Sequence, residues 1–440
     1  MTLTDDYLAT YAEHGPRASD VLTSAKPSVT DTMYMGRCLS RPTFLERDDF
    51  RQLRSDLDHL TAALTGLPGR IFGGDLAAFA RAVGLAEPQV QAVVRGAGPA
   101  PSPMARADMY RDKAGFHLLE TNMGSAIGGL DNTELNRALL EYPFIAEFVA
   151  EHRLTYVETL DELVQSILME CKVPTGTRPF VAAADWPESY EELAAQLVKS
   201  ARLLAPYGID LQGCSLGELD YHDDRVWLGG RPVDVLYRLF LVEHVIQPDA
   251  DKLIEPLLEA AERGQVPIFT PLDSELYGSK GALALLSDEA YRDRYSVEEL
   301  AALDRILPWT RMVRPGLVTV DGALVDLSAH AEANREELVL KPSAEHAGQG
   351  VVLGWQTDAD TWRDHLVEAM DGPYVLQHRI RPVPELFPTD DGVEPWVLTW
   401  GAILLSSGFG GIWVRGSREL DGGVVNMATG ATATCCFHQV

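Results

Sequence analysis

Four side chains in one short stretch carry chemistry: Arg106, Asp108, Glu120 and Asn122, set two, twelve and two residues apart in the run RADMYRDKAGFHLLETN. On a β-strand, residues i and i+2 point to one face. With residues 104–110 and 116–122 as adjacent antiparallel strands, the two carboxylates and the amide converge and present oxygen ligands only. Magnesium takes such donors and completes its octahedron with waters and phosphate oxygens. Arg106 shares the face of Asp108, and its planar fork matches a terminal phosphate. Residues 123–129 (MGSAIGG) then continue into a glycine-bearing loop, where backbone can approach an anion. An E-x-N pair by itself also occurs in plain hairpins with a buried ion pair; the four-residue set is the more specific signal.

A second group lies far downstream. Residues 337–354 (ELVLKPSAEHAGQGVVLG) read as a strand ending in Lys341, a loop holding Gly348 and Gly350, and a returning strand. A lysine at a strand end reaches the phosphates of a nucleotide, and glycines let loop amides close over them. Taken alone, such a run also describes an ordinary hairpin. Residues 374–378 (YVLQH) follow as an apolar strand turning polar at Gln377 and His378. A base-binding hinge needs that pattern, with backbone groups reading the base edge and aliphatic side chains holding its faces.

Together these residues resemble the circularly permuted ATP-grasp family, the group that contains glutathionylspermidine synthetase. In that family an R-x-D strand followed twelve residues later by E-x-N holds the magnesium ions and the γ-phosphate, and Arg106, Asp108, Glu120 and Asn122 match this spacing. Unpermuted relatives place the lysine and hinge first and E-x-N near the end. Here E-x-N lies at 120–122 and the lysine loop at 341–350, the inverted order.

The resemblance covers roughly residues 104–440 and implies further site residues. Lys280, at the start of an apolar helix, is implied as a second phosphate contact, with a solvated lysine as the plain alternative. Arg415 and Asn426, in WVRGSRELDGGVVNMATG, fall where the family closes over the phosphates and the acyl group. Arg415 is thereby implied as a stabiliser of charge developing in phosphoryl transfer, and Asn426 as a further metal ligand. Asp234 and Arg238, in RPVDVLYRLF, are candidates for facing a substrate.

The activity implied is that of an ATP- and Mg²⁺-dependent carboxylate–amine ligase working through an acyl phosphate, in natural-product or small-peptide biosynthesis. Its partners would be a small-molecule carboxylate and an amine. The amidase-like domain of glutathionylspermidine synthetase has no counterpart here, so the substrates of that enzyme do not carry over. Three alternatives stay open: a phosphotransferase using the same nucleotide site, a non-catalytic ATP-binding protein, and an α/β binding protein in which residues 106–122 are merely a hairpin.

The elements that must position these groups are mixed α/β (α+β). In residues 1–103, Phe50, Leu53, Leu57, Leu60 and Leu64 repeat at helical spacing, and Leu67-Pro68-Gly69 closes that helix. A Gly/Pro/Ala break follows at 96–104. Residues 178–266 read as a small α/β domain: an apolar strand at 180–184, a capping box of Ser189 and Glu192, a helix with Leu193, Leu197 and Leu204, then a hairpin and a strand reaching Arg238. The expected division is a helical region 1–103, a metal-binding part 104–177, the α/β domain 178–266, and a lysine-loop lobe with the C-terminal part of the nucleotide fold at 267–440.

Bulk properties set the outer bounds. A chain of 440 residues, 46% of them hydrophobic, suffices for two or three packed subdomains. The 37 Lys and Arg face 65 acids, a formal charge of -28, which excludes the basic footprint of a nucleic-acid or anionic-membrane binder. Nucleotide binding on such a chain requires a local convergence of cations. No apolar run has the length of a membrane span, and the first residues lack the basic start of a signal peptide. The five cysteines, Cys38, Cys171, Cys214, Cys435 and Cys436, show no zinc spacing and read as free thiols of a cytoplasmic protein. Homodimerism, common in this class, is left open.

Overall fold

The structure, a computed structural model, describes residues 2–24, 37–125, 127–344, 348–427 and 430–440. Residues 345–347 of the expected glycine loop therefore lie outside the described residues, as does Ala126.

The two strands expected around the carboxylates form as Ala105–Arg111 and Phe116–Met123, an antiparallel pair at one edge of an eight-stranded sheet. Their inner neighbour, Gly392–Leu405, comes from the far end of the chain and is followed across the sheet by Gly408–Ser417 and Thr432–Gln439. The sheet then passes in parallel to the short strand Thr43–Leu45. Both ends of the chain thus complete the sheet that carries its middle. Burial is continuous along residues 396–405 and 409–416 of the two central strands, as befits strands covered on both faces.

A second sheet is parallel: Ile268–Phe269, Val235–Arg238, Phe180–Asp185 and Asp210–Ser215. The helix Pro187–Leu204 makes one of its crossovers. Its N-cap is Trp186 with proline in the first turn, so Ser189 lies inside the helix and the capping box expected at Ser189 and Glu192 is not used. Proline's fixed φ favours the first turn of a helix, and here it outweighs the capping signal. The third sheet is antiparallel, with Thr310–Met312, Tyr374–His378, Leu338–Pro342 and Val352–Leu353 in that order. The helix Ala359–Met370 covers it, burying Trp362 and Leu366 against Leu338, Leu340 and Leu376.

The amphipathic helix forms as Arg47–Thr65 and buries Phe50, Leu53, Leu57, Leu60 and Leu64. Gly66 ends it, donating its N–H to Ala62 O, and Leu67-Pro68-Gly69 opens the next helix, Leu67–Phe72. The expected stop is thus a start, because a proline in a first turn costs no hydrogen bond. Among the described residues no helix is long and apolar enough to cross a membrane. Among the described residues no cysteines are joined in a disulfide, and Cys435 and Cys436 are buried, with burial holding the Cys436 thiol up at about 12.

Candidate active site

The main cleft, a cavity of ≈ 330 Å³, is lined by residues of the eight-stranded sheet and of the third sheet, with Leu241 and Glu275 from segments that follow strands of the parallel sheet. Its floor is one face of the eight-stranded sheet. Arg106 pairs with Asn122 across the hairpin and Asp108 with Glu120; on the next strands Gly401 lies beside Asp108, and Trp413 beside Gly401. Alternation thereby aims Arg106, Asp108, Glu120, Asn122, Thr399, Trp413 and Arg415 into the same space. Gly401 keeps that face open: a Cβ there would stand 2.8 Å from Arg106 Cδ and 2.9 Å from Trp413 O.

Asp108 is the hub of the floor. Arg106 grips it with both arms of its fork, Nε to Oδ1 at 2.8 Å and Nη2 to Oδ2 at 2.9 Å. Asn122 Nδ2 donates to Oδ2 at 3.0 Å, and Arg415 Nη2 lies 2.6 Å from Oδ1. Burial alone would push this carboxyl up, but the two guanidinium groups outweigh it and bring it down to about 2. Burial has the opposite effect on Arg415, lowering it, while Arg106 is raised by Asp108 and Glu120 despite its own burial. A third contact of Arg106, Nη1 to Gly128 O at 3.0 Å, ties the glycine segment to the floor.

Lysines surround the second carboxylate. Lys280 Nζ lies 3.2 Å from Glu120 Oε2. Lys280 heads the helix Lys280–Ser287, and its N–H donates to Ser343 O at 2.9 Å, which docks that helix on the end of the lysine strand. Lys341 reaches across from the third sheet. Its Nζ donates to Leu119 O at 2.9 Å and to Gln377 Oε1 at 2.7 Å, while Gln377 Nε2 donates to Thr310 Oγ1 at 3.2 Å. Burial, partly offset by Glu120, brings Lys341 down to about 8. Four cations, Arg106, Lys280, Lys341 and Arg415, therefore surround two carboxylates, a local excess of positive charge on a chain of net charge -28.

The remaining expected residues divide. Gly348, His378 and Asn426 line the cleft; Gly350 does not, and packs toward Pro342. Gly348 has φ +78, and a Cβ there would come 2.3 Å from Val424 Cγ1, so only glycine lets the lysine loop meet the segment 422–427. His378 stacks on Trp309, centroids 4.9 Å apart, and burial lowers its pKa. The backbone N–H groups expected to read a base are engaged in or beside the sheet: His378 donates to Trp309 O and Arg379 to Glu337 O. Lys280 lies beside the main cleft, in a smaller pocket that shares Asn122 and Glu275 with it. Asp234 and Arg238 do not face the cleft. Asp234 precedes its strand, at the end away from the cleft, and accepts the Phe180 N–H, and Arg238 is fully buried in a pair with Glu275.

Residues not singled out complete the walls. Val339 and Leu353 give the third sheet an apolar face, Ile380 extends it just beyond the strand Tyr374–His378, and Tyr110 exchanges hydrogen bonds with Gly423, 2.7 Å from Oη to the carbonyl oxygen and 3.1 Å from the Gly423 N–H to Oη. Tyr110, Val339 and Trp413 each lie two residues from a chosen position on the same strand, so alternation extended by one step finds them. Nothing in the local sequence marks Thr399 or Gly401.

Among the described residues no three His, Cys, Asp or Glu side chains gather as a metal cluster. The donor set available to a cation is two carboxylates and one amide, all oxygen, which suits magnesium with phosphate and water completing its shell. Glu120 faces Lys280 and Lys341, and Asp108 is enclosed by Arg106 and Arg415, so both carboxylates are held by cations.

No model of a known protein family matches the chain, and no curated protein does. Among solved structures, it is similar to a glutathione synthetase-like effector of Globodera pallida, determined in apo form, with a TM-score of 0.58, 12% identity, and coverage of 99% of this chain and 98% of that one. A putative γ-glutamylcysteine synthetase of Methylobacillus flagellatus KT is also similar, with a TM-score of 0.44, 11% identity and 86% of each chain covered. The first likeness, end to end at so low an identity, shows a shared fold.

Proposed function

We propose that this chain is an ATP-dependent carboxylate–amine ligase of ATP-grasp type, its nucleotide-binding segments in circularly permuted order. The observation that carries the reading is the floor of the cleft: two carboxylates and an amide embedded among Arg106, Lys280, Lys341 and Arg415. Such an excess of buried cations is costly without an anion, and a polyphosphate supplies one. The likeness of fold to a protein named as a glutathione synthetase-like effector supports the same class.

In this reading the triphosphate lies over the floor, held by Lys341 and Lys280, with the base against Val339, Leu353 and Ile380. Glu120 and Asn122, with Asp108 beside them, would hold magnesium, which would supply neutralisation of the phosphate charge. In this reading Arg415 turns from Asp108 to the γ-phosphate, and Arg106 keeps its two-armed hold on the carboxylate. A substrate carboxylate oxygen forms a bond to the γ-phosphorus as the bond to the bridging oxygen breaks, and ADP leaves. The amine nitrogen then attacks the acyl carbon, and phosphate departs with the proton that the nitrogen gives up. Arg415 stabilises the oxyanion between these events. The segment 422–427, fastened through Tyr110, screens the acyl phosphate from water.

The test is ADP release across a panel of acids and amines, with the amide identified by mass spectrometry. Asp108→Asn and Glu120→Gln abolish release while circular dichroism shows a retained fold. Turnover near wild type in both variants sinks the assignment. ADP without amide identifies a phosphotransferase, and nucleotide binding without turnover a non-catalytic binder.

A further inference from the structure

We propose that Arg37, which lies ahead of the stretch 104–440, is a positioning residue of the active site: it fixes one end of the segment 421–427 and so reserves the acyl phosphate for the amine. The inference rests on the ligase reading and names what keeps its reaction coupled. Residues 422–427 all line the cleft, yet they lie between the strands Gly408–Ser417 and Thr432–Gln439 without joining either ladder. A strand in a sheet is held by its own backbone, whereas such a connection depends on donors from elsewhere. Three side chains supply them to its carbonyl groups. Arg379, just past the third sheet, donates Nη2 to Asp421 O at 3.0 Å, and Tyr110, on the floor, exchanges hydrogen bonds with Gly423. Arg37 donates Nη2 to Met427 O at 2.5 Å.

Arg37 is itself anchored in the fold. Residues 37–39 run parallel to the strand Thr432–Gln439, with the Ala433 N–H donating to Arg37 O at 3.0 Å and the Leu39 N–H to Ala433 O at 2.8 Å. Two backbone hydrogen bonds also close this end of the segment, from Gly430 N–H to Met427 O at 3.3 Å and from Ala431 N–H to Asn426 O at 3.0 Å. Both are local to the turn before Thr432, whereas Arg37 links that turn to residues 37–39. Between its pins the segment meets the lysine loop, since a Cβ on Gly348 would come 2.3 Å from Val424 Cγ1. Arg37 does not line the cleft, so its effect on the chemistry passes through Met427. Removing it frees the Met427 end while Asp421 and Gly423 stay held. A wall displaced there admits water to the acyl phosphate, and a misplacement of about 1 Å costs up to about a hundredfold in rate.

The readout is amide formed per ADP released, using the acid and amine of the panel above that release most ADP, together with ADP release from the acid alone. The wild type is expected to form about one amide per ADP. Arg37→Met keeps an unbranched stem and removes the donor, and it lowers that ratio by about tenfold while ADP release from the acid alone rises. Arg37→Lys, which keeps a charged donor, restores part of the ratio. Should Arg37→Met fail to fold, Arg37→Gln carries the same expectation. An unchanged ratio in the folded variant, even with a lowered thermal midpoint, overturns the positioning role and leaves the ligase reading standing. Absence of acid-dependent ADP release by the wild type across the panel overturns both.

Discussion

Lys341 owes its position to Gln377. An ammonium on a long stem has many rotamers, and the amide, itself anchored by Thr310, selects one that points the charge at Glu120. Gln377→Met removes a hydrogen bond to a charged group, an effect of about 1.5–3 kcal/mol. The expected result is a rise of about tenfold in the KM for ATP with kcat little changed, and Gln377→Glu, which keeps an acceptor, rescues part of the loss. An unchanged KM would mean that Leu119 O alone holds the lysine. At the hub, Asp108→Asn leaves two buried guanidinium groups facing each other, so it costs about 3 kcal/mol of stability as well as activity; urea titration measures the first and ADP release the second. The residues of the hairpin were legible in the sequence because a strand repeats every two residues, which turns spacing directly into facing. Gln377 was legible as a polar end of a strand but not as the partner of Lys341, since that contact joins side chains of neighbouring strands and depends on their register.

At the level of elements, two small devices keep the floor in place. Gly401 sits between Arg106 and the backbone of Trp413, and Gly401→Ala forces one of them to shift. Overpacking of this kind costs about 1–3 kcal/mol, and because Arg106 is the nearer neighbour the loss of kcat exceeds that expected from stability alone. Measuring kcat beside the thermal midpoint checks this. The second device is Asp273, at the N-cap of the helix Ser274–Gly278, where its carboxylate accepts the Gly98 N–H at 3.1 Å and pins the break at 96–104. Burial pushes this carboxyl up to about 6, offset in part by that hydrogen bond. A carboxyl raised above its unfolded value of about 3.9 contributes its full stability below that value and loses it as pH rises through 6. Asp273→Asn should therefore stabilise the protein by about 2 kcal/mol above pH 7 and by nothing below about pH 4. Urea midpoints at the two pH values decide it, and a pH-independent difference would contradict it. The break itself was visible as a Gly/Pro/Ala run; the aspartate that fastens it lies far along the chain and carried no local mark.

The whole molecule depends on its ends meeting its middle. The strand Ala105–Arg111 is stabilised by Gly392–Leu405, and Thr43–Leu45 by Thr432–Gln439. A chain ending before residue 385 would leave the carboxylate hairpin with a long unpaired edge, a template for aggregation. Such a truncation should be insoluble on expression, and a soluble, cooperatively unfolding product would refute the dependence. The acidic surface, at net -28, repels itself, so the thermal midpoint should rise between 10 and 300 mM salt, roughly the range over which screening lengths fall from tens of ångströms to a few.

The sequence by itself determined what is periodic or compositional: the facing of Arg106, Asp108, Glu120 and Asn122, the apolar helix stripe, and the need for a local pocket of cations on an acidic chain. It also carried the order of the motifs, with the E-x-N strand before the lysine loop. Only the tertiary structure decided which of those groups touch. Arg415 meets Asp108, Lys280 meets Glu120, Gln377 meets Lys341, and Arg238 turns away into the core. The physical reason is range. Alternation and helical spacing act through the local backbone, whereas these contacts are fixed by strand register and by how separate sheets and helices pack around one cleft, which no single stretch of chain contains.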